Sequence, residues 1–196
     1  MNKILILLYI TALSSCAKGD ITLDQIANDP VDFEKQKISL TSETFSLMIP
    51  SGWSWRNEEE DCDGENVLIM LNAASPADKD GYIDIISIQK IKSQSKSNDL
   101  KTEYDHLLNL SKTNPQGMIL VESGETEVLN YPAYFIHTKS GTGQYGEIEN
   151  IGFILKSDEK GYFYHLIAGA SQTDNLFKNM SIMIACLKTF EVIVKE

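Results

Sequence analysis

Residues 44–53 read Thr-Phe-Ser-Leu-Met-Ile-Pro-Ser-Gly-Trp, and the fold is read outward from them. Phe45, Leu47 and Ile49 recur at every second position, the spacing that lines one face of a β-strand. Pro50-Ser51-Gly52 breaks the run, and Trp53 and Trp55 then resume the alternation. Downstream, Val67 to Leu71 and Tyr82 to Ile91 are further strands, parted by a loop with Ser75-Pro76 and Asp80-Gly81. Between Ser97 and Thr113 the period changes. Leu100, Tyr104, Leu107 and Leu108 share one face of an amphipathic helix, with Ser97 or Asn98 as its N-cap, and Asn114-Pro115 ends it.

Four strands follow, at Met118–Ser123, Ala133–Lys139, Glu147–Lys156 and Tyr162–Ala168, the last two joined by a hairpin turn over Ser157–Gly161. A second helix, capped by Thr173 or Asp174, runs to Leu187 with Leu176, Met180, Met183 and Leu187 on one face, and Thr189–Val194 closes the chain as a strand. The pattern predicts one α+β domain over 38–196, an antiparallel β-sheet with helices packed on it. Upstream, 16–37 is polar with scattered apolar residues and reads as a tether holding at most one short helical turn.

Phe45-Ser46-Leu47-Met48-Ile49-Pro50-Ser51-Gly52-Trp53 resembles the opening of PsbP-like and DcrB-like domains, where an early strand ends in a Pro-x-Gly-Trp turn. Leu129-Asn130-Tyr131-Pro132-Ala133-Tyr134-Phe135 is similar to that family's short turn into a strand carrying a small residue. The long hairpin, the late helix and the closing strand with Phe190 fit as well. The resemblance implies an α/β/α sandwich and mostly non-enzymatic roles: accessory subunits, envelope lipoproteins and adaptors. It carries no catalytic motif, so it transfers no site residues.

Met1 to Cys16 reads MNKILILLYITALSSC. Lys3 precedes an apolar run from Ile4 to Leu13, too short for the ~20 residues of a membrane span but suited to a signal peptide's core. Leu13-Ser14-Ser15-Cys16 resembles a bacterial lipobox: an aliphatic residue, two small ones, and the cysteine that takes the lipid. Residues 1–15 are therefore expected to be cleaved. Cys16 is expected to carry covalent lipid, palmitate included, and no other cofactor is implied. The domain would then lie outside the cytoplasm as a membrane-anchored lipoprotein of the cell envelope. Ala17 in place of an aspartate leans toward the outer membrane.

Across 196 residues, 28 acidic side chains face 17 basic ones, a net charge of −11 that argues against nucleic acid as a partner. Cys62 and Cys186 can pair or remain apart; their spacing matches no metal or redox motif. Glu58, Glu59, Glu60, Asp61, Asp63 and Glu65 put six carboxylates in one loop. That is the donor type calcium takes, although a solvated acidic loop explains the run as well. Asp78 to Ile83 has the look of an EF-hand centre, but Pro76 and Ser87 stand where two essential carboxylates belong. His106, His137 and His165 fit surface or half-buried positions. Gly-x-Ser-x-Gly is missing, and the glycine-rich run Ser140–Gly146 lacks the lysine of a phosphate loop. Trp53, Trp55, Tyr131 and Tyr134 fall at or near strand ends and Tyr145 in the Ser140–Gly146 hairpin loop; Trp55, Tyr131, Tyr134 and Tyr145 are the candidate partner surface, with core packing as the alternative reading, above all for Trp53. The sequence thus predicts a non-catalytic, lipid-anchored binding or accessory module acting through an envelope protein. The alternative is a small-molecule or calcium-binding envelope lipoprotein.

Overall fold

The computed structural model describes residues 20–39, 45–57, 67–94, 98–113, 117–142, 145–171 and 175–193. Its strands are β1 (Lys35–Ser39), β2 (Phe45–Pro50), β3 (Ser54–Asn57), β4 (Val67–Ala74), β5 (Ile85–Lys92), β6 (Met118–Thr126), β7 (Ala133–Thr142), β8 (Gly146–Lys156), β9 (Tyr162–Ser171) and β10 (Glu191–Val192). Its helices are α1 (Leu23–Ala27), α2 (Leu100–Thr113) and α3 (Leu176–Leu187). Seven strands form one antiparallel sheet in the order β3-β4-β5-β9-β8-β7-β6, and a small sheet has the order β1-β2-β10.

Alternation along the strands gives the large sheet two different faces. Leu71, Ala73, Ile86, Ile88, Phe135, Ile151, Phe153, Leu155, Leu166 and Ala168 point to one side, where α1, α3 and the small sheet cover them. The opposite face packs α2 through Tyr104, Ile154 and Phe163, with Ile136 and Leu107 partly buried beside them. The result is an α+β sandwich of three layers. Leu176, Met180, Met183 and Leu187, which share one face at helical spacing, are all buried. A trio of rings joins the layers: Phe45 of β2, Tyr164 of β9 and Phe190 after α3, with centroids 5.2–5.8 Å apart. Aromatic pairs at such distances add roughly 0.5–1.5 kcal/mol each beyond their area.

Of the residues expected to be a tether, 20–37 fold onto this core, and 16–19 lie outside the described residues. Thr22 and Gln25 form a reciprocal capping box at the start of α1, which buries Leu23 and Ile26 against α3. Residues 35–39 add β1 to the small sheet. Both helix caps fall one or two positions later than expected. Asp99, one residue after Asn98, accepts the Thr102 amide at 2.9 Å; Ser97 lies outside the described residues. Asn175 takes the equivalent place at α3, bonding the Lys178 amide at 3.3 Å; Thr173 and Asp174 lie outside the described residues. The closing strand is shorter than expected, because Thr189 and Phe190 still belong to the turn after α3.

Candidate functional site

At one end of the large sheet, the start of α2, the β6–β7 turn and the end of β8 enclose an open cleft of about 880 Å³. The turn is fixed from below and within. Leu129 is fully buried beneath it, and the Asn130 amide bonds back to the Glu127 carbonyl at 3.0 Å. Asn130 then takes φ 60°, a left-handed conformation that asparagine tolerates better than most residues. Pro132 confines the preceding Tyr131 to an extended backbone. Tyr131 thereby reaches the cleft with its ring edge on Phe190, centroids 6.3 Å apart.

Tyr134, at the start of β7, stands directly across the β6–β7 ladder from Glu125. Its hydroxyl donates to the Glu125 carboxylate at 2.7 Å, and its ring stacks on Tyr104 of α2 at 4.5 Å. The hydrogen bond holds the phenol neutral, with its pKa pushed up to about 12. On the facing wall, Asn98 adopts φ 48° and accepts the Gly161 amide at 2.9 Å, tying the start of α2 to the β8–β9 hairpin. Asp99 beside it caps the helix, and the Thr102 amide and hydroxyl lower its pKa. Asn98 and Asn130 are the non-glycine residues with positive φ among those described, and each immediately precedes a cleft residue. Backbone of this kind clusters where side chains must be held in place. Leu100 and Pro132 supply an apolar floor, with Ala133 and Leu155 buried beneath it. A cleft with this floor and two fixed phenols can grip a ligand.

A second polar cluster lies on the other face of the sheet. His137 is fully buried, not at the surface or half-buried as the sequence suggested. Its Nε2 stands 2.9 Å from a Glu149 oxygen and its Nδ1 3.5 Å from a Glu122 oxygen. Glu122 also accepts the Leu23 amide, and Lys139 pairs with Asp20 at 2.5 Å and Glu147 at 3.7 Å. This network docks the N-terminal segment and is sealed by it. His165 projects from the opposite face, so the two histidines do not meet; desolvation alone lowers its pKa to about 4. Cys186 is a buried free thiol whose pKa burial raises to about 12; Cys62 lies outside the described residues.

Of the four candidate aromatic residues, Tyr131 and Tyr134 share the cleft. Trp55 is 44% exposed on the edge strand β3, and Tyr145 packs on Tyr82 at 5.3 Å, at the far end of β7. Trp53 is half-buried against the core. Cys16 and the acidic residues Glu58, Glu59, Glu60, Asp61, Asp63 and Glu65 lie outside the described residues. Among those described, no cluster of three or more His, Cys, Asp or Glu is placed to hold a metal. No described helix is long and apolar enough to cross a membrane. Glu125 and Asp99 were missed in the sequence. Glu125 belongs to the cleft only because the ladder pairs it with Tyr134, which no local pattern reveals.

No protein-family model and no curated protein sequence matches this chain. Solved structures do. Cyanobacterial PsbP from Synechocystis superposes with a TM-score of 0.55 at 12% identity, covering 83% of this chain and 95% of its own. The fold is that of PsbP and Mog1p. The Ran-binding protein Mog1p of Saccharomyces cerevisiae gives a TM-score of 0.53 at 8% identity, over 82% of this chain and 96% of its own. LpqN of Mycobacterium tuberculosis, described as involved in cell envelope biogenesis, gives 0.50 at 12% identity, over 85% and 95%. At such identities the likeness concerns the PsbP/Mog1-like fold alone.

Proposed function

We propose that this protein is a lipid-anchored accessory module of the cell envelope that works by binding a protein partner and not by catalysis. The single observation that carries the reading is the Tyr131–Tyr134 cleft, an aromatic recess held open by fixed backbone. The chemistry-bearing side chains elsewhere favour binding over catalysis. His137 is sealed between two glutamates, and the buried Cys186 thiol is held far from its thiolate form. Among proteins of the same fold, one is named for binding Ran and another for envelope biogenesis. The anchor rests on the lipobox at Leu13–Cys16. Trp55 and Tyr145, placed apart from the cleft, are left to a secondary surface at most.

The test is site-specific photo-crosslinking in the native envelope, with the reactive group at position 131 or 134, and at 145 for comparison. The proposal expects one discrete crosslinked protein from the cleft positions and none from 145. Equal, diffuse labelling from all three positions would overturn it.

A further inference from the structure

The cleft carries more information than its shape. Its walls hold three carboxylates, Asp99, Glu125 and Glu127, against two ammonium groups, Lys101 and Lys156. The ammonium of Lys101 is already committed: it pairs with Asp105 at 2.5 Å and lies 5.4 Å over the Tyr104 ring. Asp99 is committed as well, as the cap of α2, and the charge of Lys156 falls on it, helping to lower its pKa. Glu125 and Glu127 differ. Glu125 accepts one hydrogen bond, from neutral Tyr134, and among the described residues neither glutamate is salt-bridged. Both stand exposed on the β6 side of the cleft, Glu125 across the ladder from Tyr134 and Glu127 at the turn that follows β6.

We infer that the cleft takes a basic, aliphatic segment of the partner protein, with Glu125 and Glu127 receiving its cation and the floor receiving its apolar side chains. The inference rests on the partner-binding reading above and adds the chemistry of what is bound. Arginine suits the arrangement. Its planar guanidinium bonds carboxylates through a fork of N–H donors and packs flat on phenol rings, while its methylene stem lies on apolar surface. Leu100 and Pro132 provide that surface. The Tyr134 hydroxyl engages one oxygen of Glu125 and leaves the other to accept from an incoming donor. The chain's net charge of −11 acts in the same direction at longer range, drawing a basic segment toward the site and repelling an acidic one.

The experiment uses the full chain in detergent and three dye-labelled, capped pentapeptides followed by fluorescence anisotropy. Each peptide has two leucines flanking a central arginine, glutamate or alanine. The arginine peptide is expected to bind at least tenfold more tightly than the glutamate peptide. That preference should shrink in 0.5 M salt and fall at least fivefold in E125Q/E127Q. Tyr131→Ala should remove binding altogether while Tyr145→Ala leaves it intact, with melting curves confirming that each variant is folded. Should the alanine peptide bind as well as the arginine peptide, and lose binding in Tyr131→Ala, the cleft would remain a partner site and the charge inference would be overturned. Failure of all three peptides to bind at millimolar concentration would also overturn it, leaving the crosslinking result to decide on the partner-binding reading by itself.

Discussion

Shortening Ile26 to alanine tests whether the N-terminal segment belongs to the fold. Ile26 is 1% exposed and lies on α1, packed with Leu23 against α3 over the sheet. Truncating a buried isoleucine to alanine costs about 2–5 kcal/mol, the sum of lost transfer energy and the cavity left behind. Because α1 has only five residues and sits at the margin of its layer, it can settle partly into the space, which places the expected loss at about 2–3 kcal/mol. For a chain of this size each kcal/mol moves the melting temperature by roughly 2–4 °C, so a drop of about 4–12 °C is expected. Thermal melting followed by far-ultraviolet circular dichroism reads this directly. Asp24→Asn is the control: it is on the same helix but exposed, and should shift stability by no more than about 0.5 kcal/mol. If Ile26→Ala melts within a degree or two of the parent, α1 contributes nothing to the fold and the docked segment is a tether after all.

The Tyr164 hydroxyl is buried with no hydrogen bond of good geometry among the described residues, Ser157 being a weak neighbour, so Tyr164→Phe should leave stability unchanged or raise it by about 1 kcal/mol; a loss of that size would show that the hydroxyl is bonded. Burial raises the pKa of Tyr164 to about 12, above the ordinary value near 10. Unfolded chains therefore release this proton first, stability should fall as pH rises from about 10 to 12, and Tyr164→Phe should flatten that slope in alkaline denaturant titrations. His165 behaves in the opposite sense. With its folded pKa near 4, stability present above about pH 6.5 should be lost as pH falls toward 4, and His165→Gln should reduce that loss in acid melts. Metabolic labelling with an alkynyl palmitate should mark the chain and fail on Cys16→Ser, whereas equal labelling of both would remove the anchor from the proposal. Calcium at millimolar concentration should leave the melting temperature where it was, and a saturable rise would favour ion binding by the acidic residues 58–65.

Long periodic segments made most of the fold legible. The two long helices declared themselves by one apolar stripe each, and β2 and β5 to β9 by alternation or by turn signals at their ends. Residues 20–39 did not, since α1 offers only Leu23 and Ile26 as buried residues, and what makes them core is contact with α3, far along the chain. Ser97, Asn98 and Asp99 are all competent caps. The choice among them follows from Asn98 turning left-handed to meet Gly161, a tertiary contact. His137 is instructive for a different reason. Its parity with Ala133 and Phe135 placed it on their face, but its partners Glu122 and Glu149 depend on strand register, and a bulge between Leu120 and Glu122 shifts one of them. The cleft was half visible: Tyr131 and Tyr134 stand close in sequence, whereas its opposite wall comes from α2 and β8.

The clamp on the N-terminal segment has a mechanical consequence. Lys139 pairs with Asp20, and α1 begins three residues on at Leu23, so under the proposed anchor a lipid on Cys16 would lie only four residues from the folded body. Fully stretched, the backbone from 16 to 20 covers about 14 Å. The domain would stand on the bilayer as on a short foot, with little freedom to drift from it, while the cleft lies six residues back along β7, at its start, about 20 Å from the gripping lysine. Under the proposed anchor, such a molecule would not search the space beyond its membrane, and whatever binds it would come down to the surface to meet it.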